Sequence, residues 1–145
     1  DLSALTEETV HTLQIAAEKK GQTLTADIAP GITLDGDSGK LMQIFYNLTD
    51  NAIKYTPENG HIAVRLAQSG ANVLFAVMDD GIGIPEESIA HIFERFYKAD
   101  SFTQGAGLGL SICQTIVERI HGTITVTSKP GRGTRFEVRM SDDVI

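Results

Sequence analysis

Tryptophan is absent and cysteine occurs once, at Cys113, in a chain of 145 residues. A single thiol excludes an internal disulfide and suits a reduced setting. The expected role of Cys113 is that of a small apolar group buried on a helix, not a redox centre. No stretch approaches the roughly 20 apolar residues that a membrane helix needs, and no signal peptide opens the chain. Basic residues are scarce, with 12 Lys and Arg against 19 Asp and Glu, for a net charge of -7. That balance argues against nucleic acid as a main partner, because a phosphate backbone demands a basic stripe. What remains is ordinary for a globular protein: 41% hydrophobic and 21% charged residues. We read residues 1–145 as one domain, able to bury roughly 70% of its unfolded surface. The first residue is Asp1 and not Met, so a piece of a longer protein is expected.

Leu2, Leu5, Thr9, Val10, Leu13, Ala16 and Ala17 recur at helical spacing and predict a first helix that stops at Gly21. Thr23 to Ile28 alternates as a strand, and a short strand at Ile32 to Leu34 is expected after the Pro30-Gly31 turn. Asp37 is placed to cap a second helix with the stripe Leu41, Ile44, Phe45, Leu48, Ala52 and Tyr55, ended by Pro57. Asn59-Gly60 opens a hairpin-like region, in which Ile62, Val64 and Leu66 mark one buried face. The continuous run Val73 to Met78 predicts a central strand covered on both sides. Pro85 to Ser88 suits the first turn of a short helix. A last helix is expected from near Leu108 to His121-Gly122, then strands around Ile124 to Val126 and Phe136 to Met140. Strands interleaved with helices predict an α+β two-layer sandwich, a mixed and mostly antiparallel sheet with helices on one face.

Chemistry-bearing residues fall into four groups. Asn47, Asn51 and Lys54 share one face of the second helix, beside its apolar stripe, where the rim of a pocket would lie. Amide oxygens there are neutral hard ligands suited to Mg²⁺, although a solvated polar face fits the same spacing. Asp79-Asp80-Gly81-Ile82-Gly83 follows the apolar strand, so that a carboxylate meets a turn whose glycines admit a flat base. Such an Asp accepts from an adenine amino group; standing alone, the pattern is also a common turn. Gly105-Ala106-Gly107-Leu108-Gly109-Leu110 opens the last helix, where bare amides and the dipole form an anion site or merely a hinge. It matches neither the P-loop nor the Rossmann pattern. Ile92-Phe93-Glu94-Arg95-Phe96-Tyr97-Lys98 lies between the two glycine turns, with Arg95 and Lys98 as phosphate contacts or as solvated cations.

In this order the groups resemble the ATP-binding catalytic domain of bacterial sensor histidine kinases, members of the GHKL superfamily, over nearly the whole chain. Asn47-Leu48-Thr49-Asp50-Asn51-Ala52-Ile53-Lys54-Tyr55 is similar to the family's N box. The resemblance implies a Bergerat-type fold, with Asn51 as principal Mg²⁺ ligand, Asn47 as a supporting one and Lys54 on phosphate. It sets Tyr55 near adenine and ribose, a place it shares with a plain apolar role. It puts Asp79, Gly81, Gly83 and Ile84 around the adenine, and Gly105, Gly107, Leu108, Gly109 and Leu110 along the phosphates. Ala99 to Gln104 resembles a lid over ATP. Gly131 to Phe136 matches the closing motif, with Thr134 joining Asp79 beside the base.

The implied reaction is donation of the ATP γ-phosphate to a histidine on a separate dimerisation domain, with a response regulator receiver domain next in line. No nucleophile or base of that reaction is expected here, because His11, His61, His91 and His121 are followed by Thr12, Ile62, Ile92 and Gly122. None has the acidic neighbour of a phosphoacceptor, and their scatter gives no zinc pattern. The resemblance further implies a cytoplasmic domain whose parent is anchored in the bacterial inner membrane. Two alternatives stand beside this reading. One is another GHKL-type ATPase or serine kinase, although the ATPases carry a Glu where this chain has Asn47, whose amide cannot take a proton from water. The other is a nucleotide-binding interaction module that transfers nothing.

Overall fold

Buried side chains recur at every second position from Ile62 to Leu66, the alternation by which a strand turns one face to a core. A computed structural model describes residues 1–33, 38–83, 109–129 and 131–141. Within them the elements are α1 (Leu2–Lys19), β1 (Thr23–Ile28), α2 (Ser38–Tyr55), β2 (His61–Ser69), β3 (Asn72–Asp79), α3 (Gly109–Arg119), β4 (Thr123–Lys129) and β5 (Gly133–Ser141). The five strands make one sheet in the order β1-β2-β3-β5-β4. β1 runs parallel to β2, and every other pair is antiparallel. A parallel pair needs a long crossover, and α2 lies within it. The expected α+β arrangement with a mixed, mostly antiparallel sheet is therefore the observed one.

Register rows carry the core. Val64, Val77 and Phe136 stand side by side, and Leu66, Phe75 and Val138 form the next row, all buried. Over them lies the α2 stripe of Leu41, Ile44, Phe45, Leu48 and Ala52, also buried. Phe45 stacks on Phe75 with ring centroids 4.0 Å apart and planes 14° apart. Such a pair contributes about 1 kcal/mol beyond burial of its area, and it pins α2 over the middle strand. Cys113 of α3 is fully buried against α2, as expected, and its thiol pKa is pushed up to about 12 by burial.

Three expectations need correction. β3 is central, but its second face is not covered by a layer among the described residues. Leu74 and Met78 are half-buried there, and Arg135 reaches over Met78 while pairing with Glu137 at 2.9 Å. Glu137 also takes Arg139 at 3.2 Å, so long charged side chains roof this face with their stems. An antiparallel sheet tolerates one wetted face, which the apolar run alone concealed. Ile32 and Thr33 form no strand: the Ile32 carbonyl accepts the Leu2 and Ser3 N–H groups at the start of α1, and its own N–H goes to Ser3 Oγ. Those otherwise orphaned helix donors drew the segment away from the sheet. Asn59-Gly60 turns α2 into β2, with Asn59 at φ 71°, whereas the hairpin itself closes at Gly70-Ala71 between β2 and β3. The Asp37 cap, Leu34 and the helix expected from Pro85 lie outside the described residues.

Candidate functional site

Alternation along β3 decides where Asp79 points. Val73, Phe75 and Val77 face the helices, so Asp79, two residues on, projects from that same face at the strand's end. In register it stands between Ile62 of β2 and Thr134 of β5. The proximity of Thr134 to Asp79, expected from the resemblance, is thus a property of the sheet. Thr134 is buried and its hydroxyl lies 2.9 Å from Ser128 Oγ of β4. The Gly81 N–H donates to Asp79 Oδ1 at 2.9 Å. Burial pushes the Asp79 pKa up to about 6, while backbone N–H groups of Gly81 and Thr134 pull the other way and the Asp80 charge adds to the rise.

Glycine is required twice at this spot. A Cβ on Gly81 would stand 2.4 Å from the Tyr55 carbonyl oxygen and 2.9 Å from Asp79 Oδ1. One on Gly133, where φ is +124°, would meet the Asp79 carbonyl oxygen at 2.0 Å. Three backbones therefore meet without side chains between them: the end of α2, the turn after β3 and the start of β5. Hydrogen bonds fasten the contact, from the Ile82 N–H to Tyr55 O at 3.3 Å and from the Gly131 N–H to Ile82 O at 2.8 Å. Asp80 closes the far side. Its carboxylate accepts the His61 N–H at 2.7 Å and lies 3.1 Å from His61 Nδ1, contacts that hold its pKa below the usual carboxylate range.

α2 brings its polar stripe to this end of the sheet. Asn47 and Asn51 are half-buried at the rim of the core, and Tyr55, one turn past Asn51, supplies the carbonyl that touches the glycine turn. Lys54 is exposed and pairs with Asp50 at 3.3 Å, a contact easily exchanged for an anion because both groups are wetted. The Cys113 thiol donates to the Ile44 carbonyl oxygen at 3.9 Å, and the Asn47 amide beside it opposes the burial that raises its pKa. No group of three His, Cys, Asp or Glu residues placed to hold a metal ion occurs among the described residues. The amide oxygens of Asn47 and Asn51 are neutral hard donors, suited to a cation such as Mg²⁺ whose other ligands are waters and phosphates.

Gly109 begins α3 and Leu110 is half-buried in its first turn, so the last two residues of the second glycine turn belong to the helix packed on α2. Gly83 has φ +75°. Ile84, Arg95, Lys98, Gly105, Gly107 and Leu108 lie outside the described residues. His61 and Ser128 were missed by sequence reasoning, as neither belongs to a motif and both gain their partners only through strand register.

Residues 36–144 match the model of the histidine kinase-, DNA gyrase B-, and HSP90-like ATPase family. The chain belongs to this family. Within it, the chain resembles the ATP-binding catalytic domains of sensor histidine kinases. It is 40% identical to the sensor histidine kinase TmoS of Ectopseudomonas mendocina over 97% of this chain and 15% of that protein. It is 41% identical to the sensor histidine kinase YclK of Bacillus subtilis over 88% of this chain and 28% of that protein. The chain thus spans under a third of either relative. Among solved structures, the catalytic domain of histidine kinase ThkA superposes with a TM-score of 0.87 at 28% identity, over 98% of this chain and 95% of that one. Full-length ShkA in complex with AMPPNP gives 0.85 at 32% identity, over 97% of this chain and 30% of that one. ATP binding is the function common to this family.

Proposed function

We propose that the chain holds Mg-ATP at this end of the sheet and presents its γ-phosphate to a histidine on a separate helical dimerisation domain. Carrying the reading is the meeting of Asp79 and Gly81 with the Tyr55 carbonyl, which unites a base-recognising carboxylate with the helix that bears Asn51. Asp79 accepts the adenine amino group, and Gly81 lets the base plane approach the backbone. Asn51, with Asn47 in support, would hold Mg²⁺; bound there, the ion neutralises phosphate charge and fixes the chain of phosphates. Lys54 releases Asp50 and turns to a phosphate oxygen. Phosphoryl transfer is chiefly positioning and charge stabilisation, so a domain without an acceptor of its own can still be the catalytic half. Water activation is disfavoured, since the Asn47 amide cannot take a proton from water.

The fate of the phosphate beyond this domain, a receiver domain of a response regulator, belongs to the same proposal, as does a cytoplasmic place for the domain in a membrane-anchored parent. No helix among the described residues is long and apolar enough to cross a membrane. The test is binding of a fluorescent ATP analogue with and without Mg²⁺, followed by transfer of labelled γ-phosphate to an added histidine-bearing helical domain. Binding strengthened by Mg²⁺ and acid-labile label on the acceptor are expected. Binding without transfer to any such acceptor would favour a nucleotide-binding module.

A further inference from the structure

The last carbonyls of an α-helix have no donor within the helix, and α2 meets this need in an unusual way. The Tyr55 oxygen takes the Ile82 N–H of the glycine turn. Its neighbours are served from the turn between α1 and β1. Lys20 Nζ donates to Ile53 O at 2.8 Å and to Lys54 O at 3.2 Å. The buried Gln22 amide donates to Ile53 O at 2.9 Å and also to Thr56 O. The same turn grips the loop that follows: the Asn59 N–H donates to Gly21 O at 2.8 Å, and the Thr23 N–H to Gly60 O at 3.0 Å. Lys20 also sets a cation against the negative end of the α2 dipole. Both residues belong to no nucleotide motif, yet they hold the helical turn whose Tyr55 carbonyl touches Gly81 beside Asp79.

We propose that Lys20 and Gln22 are positioning residues of the nucleotide site, holding the C-terminal turn of α2 in register with the turn after β3. The proposal rests on the ATP reading given above. Loosening this clamp frees the Tyr55 carbonyl to move off the Ile82 N–H, and Asn51 and Lys54, on the same turn, move with it. Lys20 is the better probe, because its side chain is exposed and its loss opens no cavity, whereas Gln22 is buried.

The experiment is calorimetric titration of the 145-residue chain with ATP, with and without Mg²⁺. The variants are Lys20→Met, Lys20→Arg, Gln22→Glu and, as a control on the last turn of α1, Lys19→Met. Lys20→Met, which keeps the stem and removes the donors, should weaken Mg-ATP binding about fivefold or more, a part of the roughly tenfold to hundredfold that one charge-assisted hydrogen bond is worth. Lys20→Arg should recover most of that loss, and Lys19→Met should match the wild type. Gln22→Glu, which turns acceptors toward carbonyls, should weaken binding at least as much as Lys20→Met. Wild-type affinity in Lys20→Met, or no recovery in Lys20→Arg, overturns the proposal while leaving the ATP site standing. A wild-type chain that binds no ATP overturns the ATP reading itself, and the positioning role falls with it.

Discussion

Replacing Asp79 with asparagine should make the empty domain more stable and a poorer binder at once. The carboxyl sits at the helix-facing end of β3, and burial pushes its pKa from an ordinary 3.8 to about 6. The folded value lies above the unfolded one, so the native state holds the proton more tightly. Its contribution to stability is complete below pH 3.8 and is lost as the pH rises through about 6. Fully realised, the displacement corresponds to about 3 kcal/mol. The side chain is only partly shielded, and solvent screening reduces this to about 1.5 kcal/mol. Asparagine keeps an oxygen for the Gly81 N–H and carries no charge to desolvate. Urea unfolding should therefore show Asp79→Asn more stable than the wild type by about 1–1.5 kcal/mol at pH 8, with the gap closing by pH 4. At pH 8 its affinity for ATP should fall about tenfold to a hundredfold, the worth of a charged hydrogen bond. An equal gap at both pH values, or a less stable variant at pH 8, would refute the burial argument. Unchanged affinity would remove Asp79 from the adenine.

Further outcomes follow from the same geometry. Asn51→Ala should abolish most of the Mg²⁺-dependent part of ATP binding while sparing the metal-free part; titration with and without Mg²⁺ decides, and retained dependence moves the ligand elsewhere. Gly133→Ala should cost about 2 kcal/mol or more in urea denaturation, from positive-φ strain and the clash with the Asp79 carbonyl. Gly31→Ala, at φ +73° with open space around it, should cost less, because its backbone strain is milder and nothing meets the new Cβ. Phe45→Ala should destabilise the domain by about 3–5 kcal/mol through the cavity left against Phe75; a loss below about 1 kcal/mol would mean that α2 is held chiefly by its other contacts.

Periodicity made the helices and the sheet strands legible because burial acts on every turn or every second residue. It marked α2 through Leu41, Ile44, Phe45 and Leu48, and β2 through Ile62, Val64 and Leu66. It failed at Ile32, where an apolar residue serves a helix start instead of a strand, and at the outer face of β3, where arginine stems replace a second layer. Local pattern carries no information on which distant donor will claim an orphaned carbonyl.

The same division holds for the candidate site. Residue type and order alone settled which groups are present: amides on one helix face, a carboxylate at a strand end, bare turns beside it. The contacts among the elements that carry them are tertiary. Strand register sets Thr134 opposite Asp79, glycine at positions 81 and 133 lets three backbones touch, and Lys20 and Gln22 reach 31 to 34 residues along the chain to hold α2 in place. Chemistry is a property of single side chains and can be read one residue at a time. Convergence is a property of packing, and only the folded chain contains it.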